Sequence, residues 1–388
     1  MTSLPTRHLR RMQPRDPHEQ HRAASPLELF FDLVFVVAVA FSSQTLHHME
    51  ADGHLGSGVL GYLMVFFAIW WAWMNFTWFA TAFDTDDWLY RVMTILQMAG
   101  VLVLAAGTGP AMEHHDFTLV TAGYVIMRLA LVGQWVRAAL SHPELRTPAL
   151  RYATAITVVQ ALWVARLFLP GQVGFIAFFV LVMAEIAIPI WAESSRPTPW
   201  NAHHIAERFG LFTLILLGES ILASANAVLT AIEEGQHIPD LLTISAAGLI
   251  IAAGMWWVYF AREQHHHITS LRSSLTFGYV HYLIFAAAGA FSAGIEVAID
   301  STDGHTDAPT TIASATLTIP VALFVLGTWA LTLRHTIGRA ATGLLLTGVG
   351  VILTATFLPG TGTVIGVAAG VTLAAIATER HQQQQVKS

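Results

Sequence analysis

Cysteine is absent from these 388 residues, and lysine occurs once, at Lys387. The first absence excludes disulfides, thiol nucleophiles, thiolate metal sites and iron–sulfur clusters. The second leaves no lysine inside an apolar segment to form a retinal or pyridoxal Schiff base. Charge is scarce as well. Asp, Glu, Lys and Arg make up 11% of the chain, against about 25% in soluble domains. Hydrophobic residues make up 54%, and the mean hydropathy is +0.57. This is the composition of an integral membrane protein whose main partner is the lipid bilayer. Basic residues cluster nowhere beyond the N-terminus, so no nucleic-acid surface is expected. No nucleotide-binding loop or soluble domain is evident, which argues against an ATP-driven pump. The glycines from Gly343 to Gly350 read as helix-packing positions.

What is present is a series of long apolar runs. A membrane-spanning helix needs about 20 such residues. Twelve runs qualify, near 27–47, 56–82, 88–108, 117–140, 148–169, 172–193, 202–230, 240–262, 276–298, 310–333, 338–357 and 361–378. The expected fold is all-α, a polytopic transmembrane bundle of about twelve spans. Residues 1–26, with Arg7, Arg10, Arg11, Arg15, Arg22 and several prolines, read as a disordered cytoplasmic arm. A signal peptide is set aside because Glu28 and Asp32 would interrupt its apolar region. Residues 380–388 form a polar, glutamine-rich cytoplasmic tail.

With the N-terminus inside, every Lys and Arg except Arg128 and Arg166 falls in a cytoplasmic segment. The opposite loops carry only acids, among them Glu50, Asp52, Glu113, Asp116, Asp240 and Asp307. By the positive-inside rule this places a multi-pass protein in the plasma membrane with both termini cytoplasmic. The two halves also echo each other. Glu28-Leu29-Phe30-Phe31-Asp32 is matched by Glu207-Arg208-Phe209-Gly210-Leu211, and Trp70-Trp71-Ala72-Trp73 by Trp256-Trp257-Val258-Tyr259. Residues 27–193 and 194–379 are therefore read as two parallel six-helix repeats, an arrangement some secondary transporters share.

The acids in the spans are the functional candidates. An ionised side chain near the bilayer centre costs at least about 2.5–3.5 kcal/mol, so it needs a partner or a hydrated cavity. Glu28 and Asp32, four apart, share one helix face. Glu28 suits a first-turn cap, and Asp32 lies about 6 Å deeper. Glu207 and Arg208 are expected to join these acids in a charge network. Glu219 lies about 18 Å beyond Glu207, near the midplane, with Arg128 and Glu185 at similar depth. Arg128 is expected to bridge Glu185, Glu219 or both. Asn75, Gln97, Gln134, Gln160, Asn226 and His281 add polar groups that together suggest a cavity. Trp70, Trp71, Trp73, Trp78, Trp256 and Trp257 are read as packing or interfacial residues. His203 and Glu207 could ligate a metal, but two ligands are too few, and His281 has no facing partner for a haem. His265-His266-His267 reads as a solvated run. No metal, cofactor or catalytic residue is therefore assigned, and nothing in the chain argues for an enzyme.

The Pro26-Leu27-Glu28-Leu29-Phe30-Phe31-Asp32-Leu33-Val34-Phe35 run, with Glu207-Arg208-Phe209-Gly210-Leu211 and Leu217-Gly218-Glu219-Ser220, resembles the bacterial low temperature requirement A family. The resemblance covers about Ser25 to Glu379. It implies a polytopic membrane protein connected with growth in the cold, and it supplies no catalytic residue. The buried acids beside arginines, with the duplication, favour a secondary transporter or ion-coupled permease for a small solute or proton. A structural or regulatory protein of cold adaptation is the competing expectation.

Overall fold

The computed structural model describes residues 10–16, 19, 23–234, 238–304 and 306–386. The chain forms helices α1 (Pro26–Ala51), α2 (Leu55–Ala82), α3 (Trp88–Ala106), a short α4 (Thr108–His114), α5 (Thr118–Ser141), α6 (Arg146–Arg166) and α7 (Gly171–Glu193). It continues with α8 (Ala202–Glu234), α9 (Ile238–Tyr259), α10 (Leu271–Asp303), α11 (Thr310–Thr328), α12 (Arg339–Thr354) and α13 (Thr361–Val386). Each of the twelve apolar runs corresponds to one of these helices. Among the described residues, ten helices are long and apolar enough to cross a membrane. Helices α6 and α8 are not among the ten, and α6, with Arg146, Arg151, Gln160 and Arg166, is too polar to count.

Local chemistry fixes several helix ends. Ser25 and Glu28 form a reciprocal cap around Pro26: Ser25 N–H donates to Glu28 Oε2 at 2.7 Å, and Glu28 N–H to Ser25 Oγ at 3.3 Å. Ser270 and Ser273 cap α10 in the same reciprocal way, and Gly304, at φ 72°, ends that helix.

The chain divides into two compact units. The first comprises the described residues of Met1–Ala38, Ala68–Gly107 and Asp116–Arg208. The second comprises those of Val39–Phe67, Thr108–His115 and Phe209–Ser388. Helices α1, α2 and α8 each contribute residues to both. In the first unit α3 packs on α5, and α5, α6 and α7 pack in succession. The α3–α5 contact depends on absent side chains: a Cβ on Gly123 would lie 2.4 Å from the Gly100 carbonyl. In the second unit α10 pairs with α11, α12 with α13, and α13 with α9.

The arm departs from expectation. Where residues 1–26 are described, they are held. Gln13–Pro14 pairs antiparallel with Phe83–Asp84. Met12 is fully buried, and its N–H donates to Ser141 Oγ at 3.1 Å. Arginines and prolines read as disorder, but one apolar side chain and the loop after α2 give this stretch something to pack on. Arg7 and Arg22 lie outside the described residues.

Asp87, the N-cap of α3, accepts from Tyr90 N–H and from Arg137 Nη1 at 2.9 Å. Arg137 Nη2 also donates to the Arg10 carbonyl at 2.8 Å. Partial burial pushes the Asp87 carboxyl up, but Arg137 and the Tyr90 N–H outweigh it and hold it below its ordinary value. The contribution is therefore present above the ordinary Asp pKa and fades as pH falls below about 4. Arg137→Gln should release the arm, seen as faster proteolysis between Arg10 and Arg15 at neutral pH. Wild type should reach the same rate only on acidification. Gly123→Val should force α3 from α5 and cost about 1–3 kcal/mol in detergent-solubilised unfolding. Gly343→Ala, which meets open space, should leave stability unchanged.

Candidate functional site

Three carboxylates of the first unit sit in dry surroundings, and each is saturated with donors. Asp32 is fully buried. Arg208 grips it with both arms of the guanidinium, Nη2 to Oδ1 at 2.5 Å and Nε to Oδ2 at 3.1 Å. The Trp73 indole N–H adds a third donor at 2.7 Å. Glu28 completes the cluster: its Oε1 lies 3.1 Å from His204 Nε2 and 3.2 Å from Arg208 Nη1. Positions 204 and 208 are one turn apart on α8, so both reach the acids on the opening turns of α1. Glu207 takes a different partner. Its Oε1 accepts from Ala24 N–H at 3.2 Å.

Glu185 on α7 accepts from five side chains. Tyr124 Oη, Gln160 Nε2 and Trp163 Nε1 lie 2.8, 2.9 and 3.3 Å from Oε1, and Trp71 Nε1 and Arg128 Nη2 lie 2.9 and 2.8 Å from Oε2. Both members of the Arg128–Glu185 pair are almost wholly removed from solvent. Glu193, at the end of α7, is held by neutral donors: Trp78, Tyr152 and the hydroxyl of Thr198 on Oε1, and the Thr198 N–H on Oε2. A pattern follows along α2. Trp71, Trp73 and Trp78 each direct an indole N–H at a different buried acid. These tryptophans act as hydrogen-bond donors as well as packing groups.

Glu207 Oε2 has no hydrogen-bond partner, and the second unit holds two more acids of that kind. Glu219 on α8 is hydrogen-bonded to Ser292, but its Oε2 has no hydrogen-bond partner. Glu50, only 3% exposed, likewise has an Oε2 without a partner. His47 lies between two carboxylates of α10, with Nε2 2.7 Å from Asp300 Oδ2 and Nδ1 2.9 Å from Glu296 Oε2. A neutral imidazole has one N–H, and an unprotonated nitrogen would face a carboxylate lone pair to lone pair. The triad therefore holds one proton more than a neutral imidazole between two carboxylates would carry. Glu219 in turn feels Glu296, and Glu50 feels His47. Beside this cluster is a cavity of about 260 Å3 whose wall includes Glu50 and Tyr62.

The profile described as bacterial low temperature requirement A protein (LtrA) matches residues 23–378. The chain belongs to the LtrA family. It is also 26% identical over 250 residues to an uncharacterized protein of Rhizobium meliloti (strain 1021), an alignment covering 62% of this chain and 59% of that relative. The chain thus spans less than two thirds of the length of the curated relative it matches.

In this LtrA protein the expected Arg128–Glu185 bridge is present, whereas Glu219 belongs to the other unit and pairs with Ser292. Several of the polar residues expected to line a cavity are instead bonded within the protein. Asn75 donates to the Trp71 carbonyl and Gln160 to Glu185. His281 is spent on both sides, with Nδ1 2.7 Å from the Phe277 carbonyl and Nε2 2.8 Å from Tyr259 Oη. A carbonyl only accepts, so Nδ1 carries the hydrogen and Nε2 receives that of the tyrosine. In the loop before α10, Glu263, His265 and His266 place ligand atoms within 4.8 Å of one another, a largely exposed trio able to gather a divalent cation.

Sequence reasoning missed Glu296, Asp300 and Glu50. The signal was spacing: Glu296 and Asp300 are four apart and His47 and Glu50 three apart, each pair on one helix face. Arg208→Met should leave Asp32 buried and unpaired and cost about 3–5 kcal/mol in unfolding measurements. Adding Asp32→Leu should recover most of that loss.

Proposed function

We propose that this LtrA-family protein is a secondary carrier that couples a small solute to protons across the plasma membrane, with both termini cytoplasmic. One observation supports it above the others. The acids of the second unit are underfilled and linked, while Asp32, Glu185 and Glu193 are closed off by donors. A saturated carboxylate has no reason to exchange its proton. Glu219 and Glu50, each with an oxygen lacking a partner, and the proton-holding His47 triad do. Glu219 and His47 are the coupling candidates in this reading, and Glu28, Asp32, Arg128, Glu185, Glu207 and Arg208 hold the scaffold. Two parallel six-helix repeats, 27–193 and 194–379, belong to the same proposal.

A second reading has its own support. The saturated network of the first unit is what a structural or regulatory membrane protein would build. Reconstitution into vesicles loaded with a pH-sensitive dye separates the two. With a pH gradient imposed, a panel of amines, amino acids and sugars should contain a solute that moves protons. Glu219→Gln and His47→Gln should abolish that flux, and Glu185→Gln should not. A panel without any flux, or flux indifferent to both variants, favours the structural reading.

A further inference from the structure

We infer that the cavity of the second unit binds a small organic cation, an ammonium on an apolar body, with Glu50 as its counter-ion. For transport this rests on the carrier reading, but for binding it stands alone. The cavity is formed by the end of α1, the start of α2, and the middles of α10 and α11. Its walls are mostly hydrocarbon, as at Leu46, Val59, Leu283 and Leu323. Its volume, about 260 Å3, is at the small end for ligand pockets and suits a body of about ten non-hydrogen atoms.

Glu50 gives the cavity its sign. The side chain lines it, is almost wholly buried, and has an oxygen without a hydrogen-bond partner. A carboxylate in such walls needs a counter-charge. The chain offers little. His47 is the charged neighbour that Glu50 feels, and it already lies between Glu296 and Asp300. Glu219 on α8 adds a further acid beside Glu296. On α2, the Tyr62 hydroxyl donates to the Ala286 carbonyl at 2.9 Å, so its hydrogen is committed. No Lys or Arg occurs in 39–67, 209–261 or 273–333. These segments supply every wall of the cavity and all of the acids named.

Other occupants fit less well. An anion would meet Glu50, the one acid in the lining, with no Lys or Arg on the walls to offset it. A lipid chain would fill the hydrocarbon walls and leave Glu50 unanswered. An ammonium answers both, and the lining Pro320, which lacks the N–H that would bond the Thr316 carbonyl in a regular helix, leaves that carbonyl as an acceptor. Glu50 lines the cavity and keeps one carboxylate oxygen without a hydrogen-bond partner. Either a proton or the ammonium can satisfy that oxygen. When the ammonium enters with its own proton in place, a proton on Glu50 leaves to bulk water, and charge balances.

Titration calorimetry on the purified full chain in detergent tests this with phenethylammonium and its neutral isostere 2-phenylethanol. The amine should bind saturably. Glu50→Gln should weaken it at least tenfold and leave the alcohol unchanged. Leu323→Trp and Ala287→Phe, which fill the cavity from two sides, should abolish both. Lowering the pH from 8 to 6 should weaken the amine in wild type and not in Glu50→Gln. Equal affinity for amine and alcohol, indifference to Glu50→Gln, or binding that survives both filled variants would overturn the cation site. Should Glu50→Gln fail to fold, the filled variants and the amine–alcohol comparison still decide. Charge-selective binding with no proton movement in vesicles would keep this site and overturn only the carrier reading.

Discussion

A carboxylate away from water stays ionised only if the protein supplies the donors that water would have given. That constraint organises the first unit. Arg208 meets Asp32 with a two-pronged contact and reaches Glu28 with its remaining nitrogen. Removing either side of such a pair strands a charge, which is why Asp32 and Arg208 depend on each other although they are far apart in sequence. The same requirement explains the tryptophans of α2. An indole brings a large apolar body suited to the bilayer and one N–H that must find an acceptor. Three buried acids provide three acceptors.

The contrast with the second unit carries the functional argument. Glu193 keeps its place with neutral donors on both oxygens, so its surroundings are complete without a mobile partner. Glu219 and Glu50 are not complete in this way. Three acids around one imidazole, with Glu219 beside one of them, are a poor stabilising device, because like charges crowd and the basic partner is shared. It is a reasonable device for holding protons that come and go. Stability and exchange make opposite demands on a buried acid, and in the carrier reading we propose they fall to different residues.

Much of this was legible in advance, for identifiable reasons. Hydropathy reports what faces lipid, so the spans could be read from apolar runs. Depth follows from helical rise, so Arg128 and Glu185 could be matched. Glu28 suited a first-turn cap by the helix dipole, while its reciprocal partner Ser25 emerged only in the structure. Partner choice is tertiary and was not legible: nothing in the Trp-rich run of α2 says that Trp73 meets Asp32 or Trp78 meets Glu193. Helix ends misled as well. The apolar run of α10 fades near 298, but the helix continues to Asp303, and Asp300 lies on that extension. Glu50 read as a loop acid because α1 outlasts its apolar run in the same way. Charged last turns are where hydropathy is least informative and where these functional candidates lie.

The distribution of basic residues ties topology to chemistry. The positive-inside rule concerns orientation, yet it has a consequence within the second unit. Its arginines are confined to Arg262, Arg272, Arg334, Arg339 and Arg380, each at or beyond the end of an apolar span. The acids His47 gathers lie on stretches with no arginine at all. A rule that keeps basic residues out of one set of loops thereby leaves those acids without resident cations. The first unit escapes because Arg128 and Arg208 lie within helices and are buried beside their acids. Where arginine is excluded and acids remain, a proton or a ligand can supply the missing positive charge, and the cavity beside Glu50 is where we propose that the ligand sits.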